Sequence, residues 1–208
     1  NNGYWTFGNR ANDESIDRGS NKPGANEEGY DWVLEEVTYL PVPMNTTAGY
    51  ATLYAPVALN NVGRVEAYVG KAEGEWFKMT RVDEEDGVIP ANTPVVLKYV
   101  EGAQVENNCV YLQVSDSEKV AVVGDENELE GTFADTYITS PAYALGFIDS
   151  EVGFYTAKMT GSQWLNNGFK AYLPKNGQAN TLRFNFGGNT TAIESVLNNS
   201  ADANAPIY

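Results

Sequence analysis

Gly49-Tyr50-Ala51-Thr52-Leu53-Tyr54-Ala55-Pro56-Val57, answered by Gly87-Val88-Ile89-Pro90-Ala91-Asn92-Thr93-Pro94-Val95-Val96-Leu97-Lys98-Tyr99, decides the fold of this chain. Each run is β-rich and stopped by Pro or Gly. Tyr50, Thr52 and Tyr54 alternate with Ala51, Leu53 and Ala55, which marks a strand with two distinct faces. Between the runs, residues 65–70 and 75–82 flank a polar turn containing Gly74, the pattern of a hairpin. Asp83-Glu84-Glu85-Asp86-Gly87 then forms an acidic loop.

Working outward, Asp31 to Leu40 reads as a strand that Pro41 and Pro43 bring to an end. Residues 1–31 are a polar, turn-rich lead-in in which only Tyr4-Trp5-Thr6-Phe7 is strand-like. Downstream, strands are expected at 110–114, 120–123, 129–133, 142–147, 152–159, 169–174 and 181–186. Periodicity fades after Gly187, with a short helical turn near 191–197 and a linker-like tail over 198–206. This gives three segments: the lead-in (1–31), an all-β module (32–190) and a tail (191–208). About a dozen short strands with turn signals between them predict an antiparallel β-sandwich or barrel-like domain. Tyr50, Leu53, Val69, Phe77, Val95, Leu97, Leu145, Phe154, Tyr172 and Phe184 are the expected core, with Trp32 and Trp76 also placed inside.

A faint repeat runs through the module. Ala67-Tyr68-Val69-Gly70, a turn and Trp76-Phe77-Lys78-Met79 resemble Tyr143-Ala144-Leu145-Gly146, a turn and Phe154-Tyr155 with Lys158-Met159. Each unit leads to an apolar run, ending near Leu97-Lys98 or Leu173-Pro174. Both an internal duplication and convergent hairpin chemistry produce such a pattern.

The net charge of −15 opposes binding to nucleic-acid phosphates and to anionic lipid. No apolar run is long enough to span a bilayer. With no His in the chain there is no Ser-His or Cys-His dyad, and the single Cys109 cannot form an intrachain disulfide. Cys109 opens a strand and reads as an inert thiol. Glu35-Glu36 and Glu84-Glu85 are adjacent pairs, and neighbours on a strand point to opposite faces, unlike the facing carboxylates of a glycosidase. The chain is therefore read as non-catalytic and without a cofactor. Asp83, Glu85 and Asp86 lack the spacing of a calcium loop, so a solvated loop is expected and no metal site is assigned.

Trp32-Val33-Leu34-Glu35-Glu36-Val37, Gly49–Tyr54, Gly87–Lys98, Leu129-Glu130-Gly131-Thr132, Val152-Gly153-Phe154-Tyr155 and Lys170-Ala171-Tyr172-Leu173-Pro174, in that order, give the chain a family likeness. It resembles the β-rich C-terminal modules of large secreted and surface proteins of Bacteroidetes, many of them glycan-degrading. Ile193-Glu194-Ser195-Val196 and Ala205-Pro206-Ile207-Tyr208 match the run that leads, in that family, into a sorting or anchoring tail. The likeness covers residues 32–208 and implies an exported accessory module, secreted or on the outer-membrane surface. The other domains of a parent chain, and a glycan or surface protein, are its implied partners. The chain reads as a piece of something longer. An adhesive subunit that joins neighbours by strand pairing, through an edge such as Tyr4 to Phe7, is the alternative, with self-association as its consequence.

The candidate sugar-binding group is Trp164, in the polar run Gly161-Ser162-Gln163-Trp164-Leu165-Asn166-Asn167-Gly168. A loop is expected there, with Trp164 stacking on a sugar ring and Gln163 or Asn166 bonding its hydroxyls. The other reading has Trp164 folding back as a cap on the sandwich.

Overall fold

The computed structural model describes residues 38–186 and, before them, the backbone of four short strands. Contacts divide the chain into Asn1–Thr38 and Tyr39–Tyr208. In the first unit β1 (Tyr4–Trp5) pairs antiparallel with β4 (Trp32–Val33), and β2 (Ser15–Asp17) with β3 (Gly24–Asn26). The strand expected from Asp31 to Leu40 is therefore divided between the units. The side chains of Trp5 and Trp32, residues Thr6 and Phe7, the helical turn near 191–197 and the linker-like tail lie outside the described residues, as do the family-like runs near Ile193 and Ala205.

The second unit is all-β, with no helix among the described residues. Its strands are β5 (Tyr39–Pro43), β6 (Tyr50–Leu53), β7 (Ala58–Asn60), β8 (Val65–Glu73), β9 (Trp76–Arg81), β10 (Val88–Ile89), β11 (Val95–Tyr99) and β12 (Cys109–Ser115). There follow β13 (Glu130–Thr132), β14 (Thr136–Ile138), β15 (Ala142–Ile148), β16 (Glu151–Thr156), β17 (Trp164–Asn166), β18 (Lys170–Pro174) and β19 (Thr181–Asn185). Nine of them form one sheet in the order β13-β18-β15-β16-β19-β9-β8-β11-β6. It nearly closes on itself: just beyond β6, the Tyr54 N–H donates to the Phe169 carbonyl at the head of β18, 3.0 Å away. A four-stranded sheet, β10-β7-β12-β5, and a two-stranded ribbon, β14-β17, complete the unit.

The pairings of β6 to β11 recur in β13 to β18. β11 pairs with β6 and β8, β8 with β9, and β7 with β10; likewise β18 pairs with β13 and β15, β15 with β16, and β14 with β17. The registers agree residue by residue. Val96 faces Tyr68 and Leu97 faces Ala67, as Leu173 faces Tyr143 and Pro174 faces Ala142. The Asn92 N–H reaches the Ala55 carbonyl at 2.8 Å, and the Phe169 N–H reaches the Thr132 carbonyl at 2.7 Å. The parallel pair β19–β9 joins the two halves into one sheet. The repeat read in the sequence is thus a repeat of topology, with one correction. Aligning Gly70 with Gly146 shifts the strands by one residue, whereas the pairing matches Ala67 with Ala142 and Tyr68 with Tyr143. The two glycines have different tasks: a Cβ on Gly70 would strike the Lys78 carbonyl, and one on Gly146 the Tyr155 ring.

Two large apolar clusters fill the unit, the second shared by both halves. The first joins Leu53, Val69, Val95 and Leu97 of the large sheet to Leu59, Val110 and Leu112 of the smaller one, a two-layer sandwich. The second gathers Phe77, Phe154, Tyr143 and Leu182, with Tyr50, Leu145 and Phe184 partly buried against it. Phe77 meets Phe154 edge-on at 4.9 Å, a favoured aromatic geometry. Among the described residues every expected core residue is thus buried or packed on a core cluster, except that Trp76 is 39% exposed at the turn end of β9; the Trp32 side chain is outside the described residues.

Other expectations are corrected too. Pro41 and Pro43 are themselves paired in β5, which runs on through Pro41 and ends at Pro43. The Met44 N–H donates to Asn108 at 2.9 Å, so residues 40, 42 and 44 face β12 and the prolines turn their missing donors to the open edge. Residues 120–123 form no strand. Asp83 is no solvated loop residue: at 1% exposure it accepts from the Ala67 N–H (3.1 Å), the Arg81 guanidinium (2.9 Å) and the Asn61 side chain. Asp86 accepts from the Val88 N–H and pairs with Lys119 at 2.8 Å. These carboxylates are occupied by the fold, and no group of three metal-ligating side chains gathers among the described residues.

A candidate binding cleft at the seam of the sheet

Where the large sheet fails to close, a cleft of about 470 Å³ opens between β6, β15, β17 and β18. That volume falls within the range of small-ligand sites. Tyr50 and Thr52 line it from β6, Ala144 and Leu145 from β15, and Trp164, Asn166, Asn167 and Lys170 from the other side.

Trp164 is on β17 rather than in a loop, with Ile138 opposite it on β14. The alternation of a three-residue strand is too brief to read in sequence, and only its pairing with β14 makes it one. The indole meets Tyr172 edge-on at 5.6 Å and joins Ile138, Ala142 and Tyr172 in a small cluster. Its N–H is buried without an acceptor among the described residues. Such an unmet donor costs about 1–3 kcal/mol. Trp164 therefore anchors the ribbon and lines the cleft at once.

Asn166 is 4% exposed, and its amide donates to Thr132 Oγ1 (2.8 Å) and the Lys170 carbonyl (3.0 Å). It braces β17 against β13 and β18, leaving the exposed Asn167 and Asn45 as amides of the cleft open to a ligand. Gln163 is partly buried and precedes β17, with its carbonyl accepting from the Thr160 N–H at 2.8 Å; it does not line the cleft. Of the three residues expected from sequence, the fold brings Trp164 and Asn166 together and leaves Gln163 aside.

Lys170 escaped the sequence reading. The available signal was a lysine opening an apolar strand, Lys170-Ala171-Tyr172-Leu173. Its half-buried ammonium contacts the Thr52 carbonyl at 3.4 Å, and burial holds its pKa below the ordinary lysine value. The Tyr50 hydroxyl is pushed up to about 12 by burial and by the Glu66 charge, so it stays protonated and can donate. Hydroxyl and amide donors, an aromatic ring and one cation thus surround a cleft suited to a small polar ligand with an apolar face.

Comparison with family models, with curated proteins and with solved structures finds no match.

Proposed function

We propose that the chain is a non-catalytic accessory module of an exported, multidomain protein, and that it holds a glycan in the seam cleft. The observation carrying this reading is the meeting of Trp164, Asn167, Tyr50 and Lys170 around one cleft. A sugar offers C–H groups to the negative face of an aromatic ring and hydroxyls to amide and phenol groups. Among the described residues no carboxylate lines the cleft, which supports binding without hydrolysis, since glycoside cleavage uses two. The family likeness drawn from sequence adds the exported, surface-associated setting.

The test is retention on a panel of immobilised oligosaccharides. The intact chain is expected to be retained by at least one of them, with Trp164→Phe and Asn167→Ala weakening retention several-fold while the circular dichroism spectrum stays unchanged. A chain that no member of the panel retains contradicts the proposal.

A second reading, assembly by strand pairing, draws on β14. Its counterpart β7 is covered by β12, whereas among the described residues β14 pairs only with β17. Tyr137 is 62% exposed on the ribbon's outer face, beside the exposed Leu165. Sedimentation separates the two: a dilute monomer favours the glycan module, an ordered polymer the assembling subunit.

A further inference from the structure

Among the described residues Lys170 is the only charged side chain lining the seam cleft, in a chain that carries 28 acidic residues. Lys78, Lys98 and Lys119 each hold a carboxylate. Lys170 forms no such pair among the described residues, and its Nζ has only the Thr52 carbonyl, at 3.4 Å. A half-buried ammonium without an anion is unfavourable, and an entering anion relieves that cost while making a charge-assisted contact.

The matching position in the first half shows that this is not a requirement of the fold. Thr93 occupies it, fully buried, with its hydroxyl accepting the Val122 N–H at 3.1 Å. There the chain closes over the site; at Lys170 a cleft opens. Trp164, Asn167 and Tyr50 meanwhile supply a ring face and hydroxyl-binding groups, so the anion belongs on a polyhydroxylated skeleton. Burial holds the Lys170 pKa below the ordinary lysine value, which agrees with an ammonium lacking an anionic partner among the described residues.

We infer that the cleft selects acidic sugars, a uronate carboxylate pairing with the Lys170 ammonium while the ring lies beside Trp164. The inference rests on the glycan reading above and narrows it to one ligand class.

Calorimetric titration of the intact chain with digalacturonate and with its uncharged methyl ester isolates the carboxylate. The acid is expected to bind about tenfold more tightly than the ester at low salt, a preference that shrinks as salt rises. Lys170→Met should erase the preference, so that acid and ester bind that variant alike, and Lys170→Arg should keep most of it. Equal binding of acid and ester overturns the inference and leaves the glycan reading standing, as does a preference that survives Lys170→Met. Binding of neither probe overturns the inference, and retention on the oligosaccharide panel then decides the broader reading separately.

Discussion

The two halves of the second unit share a topology and part ways in what covers it. In the first, β12 and β5 extend the β7–β10 pair into a sheet that encloses Leu59, Val110 and Leu112. In the second, β14 and β17 remain a two-stranded ribbon, and the strand following β18 instead bridges β16 to β9. One plan therefore yields a closed sandwich and an open counterpart with a cleft. Among the described residues the uncovered copy leaves side chains of β17 and β18 facing a cleft, where the covered copy buries the matching ones.

The comparison is broken most forcefully in the shared core. Met79 and Phe154 are matching positions on β9 and β16, and both are buried. Phe154→Ala should cost about 3–5 kcal/mol and Met79→Ala about 2–5 kcal/mol, read from denaturant midpoints. If the halves form one cooperative sheet, either change shifts a single transition. Two separate transitions would show that the parallel β19–β9 seam does not couple them.

A smaller effect sharpens the comparison at the turn before β11 and β18. Asn92 and Phe169 are matching residues with φ of 56° and 59°. Asn tolerates this left-handed conformation, whereas a bulky side chain pays about 1–2 kcal/mol for it. Phe169 is 43% exposed and gives up only part of a buried side chain, so Phe169→Asn should raise stability by up to about 1 kcal/mol. A loss of stability would show that its contact with Phe133, at a ring distance of 6.5 Å, outweighs the strain.

Lys170 and Thr93 form another such pair. Lys170→Met removes a desolvated charge and should stabilise the fold by on the order of 1 kcal/mol. Thermal unfolding reads this, and a drop in midpoint would mean that Lys170 holds the seam shut through Thr52.

The smallest effect concerns acid. Glu66 lies among Tyr68, Lys98 and Arg81; burial pushes its pKa up, but these partners outweigh burial and leave it below the ordinary 4.5. A depressed folded pKa contributes stability that is whole above about pH 4.5 and is lost as pH falls through the lower, folded value. The second half has Pro141 at the matching position, with Lys175 bonded to Thr156 at 2.9 Å. Acidification should therefore loosen β8 before β15 in hydrogen exchange, by up to about 1 kcal/mol. Glu66→Gln should remove the difference.

How far the sequence could be read follows the same contrast. Long alternating strands such as Trp76–Arg81 and Glu151–Thr156 declared themselves, because a half-buried strand shows its faces at period two. The two- and three-residue pairs β7–β10 and β14–β17 did not, since tertiary pairing rather than local pattern makes them strands. Trp164 was therefore expected in a loop. Trp76 looked like core from its neighbours, but its own parity on β9 turns it outward. Asp83 looked solvated because its partners Asn61 and Ala67 lie 22 and 16 positions away. The cleft was legible only through its aromatic; Lys170 becomes conspicuous once the fold shows that among the described residues no carboxylate lines the cleft with it.

The most direct test is amide chemical-shift mapping of the intact chain titrated with digalacturonate. The account predicts shifts confined to Thr52, Trp164 to Asn167 and Lys170, with Asn92, Thr93 and Val122 of the closed half unmoved. Shifts centred on the closed half, scattered over the surface or absent would contradict the claim that the open copy of the repeat is the binding one.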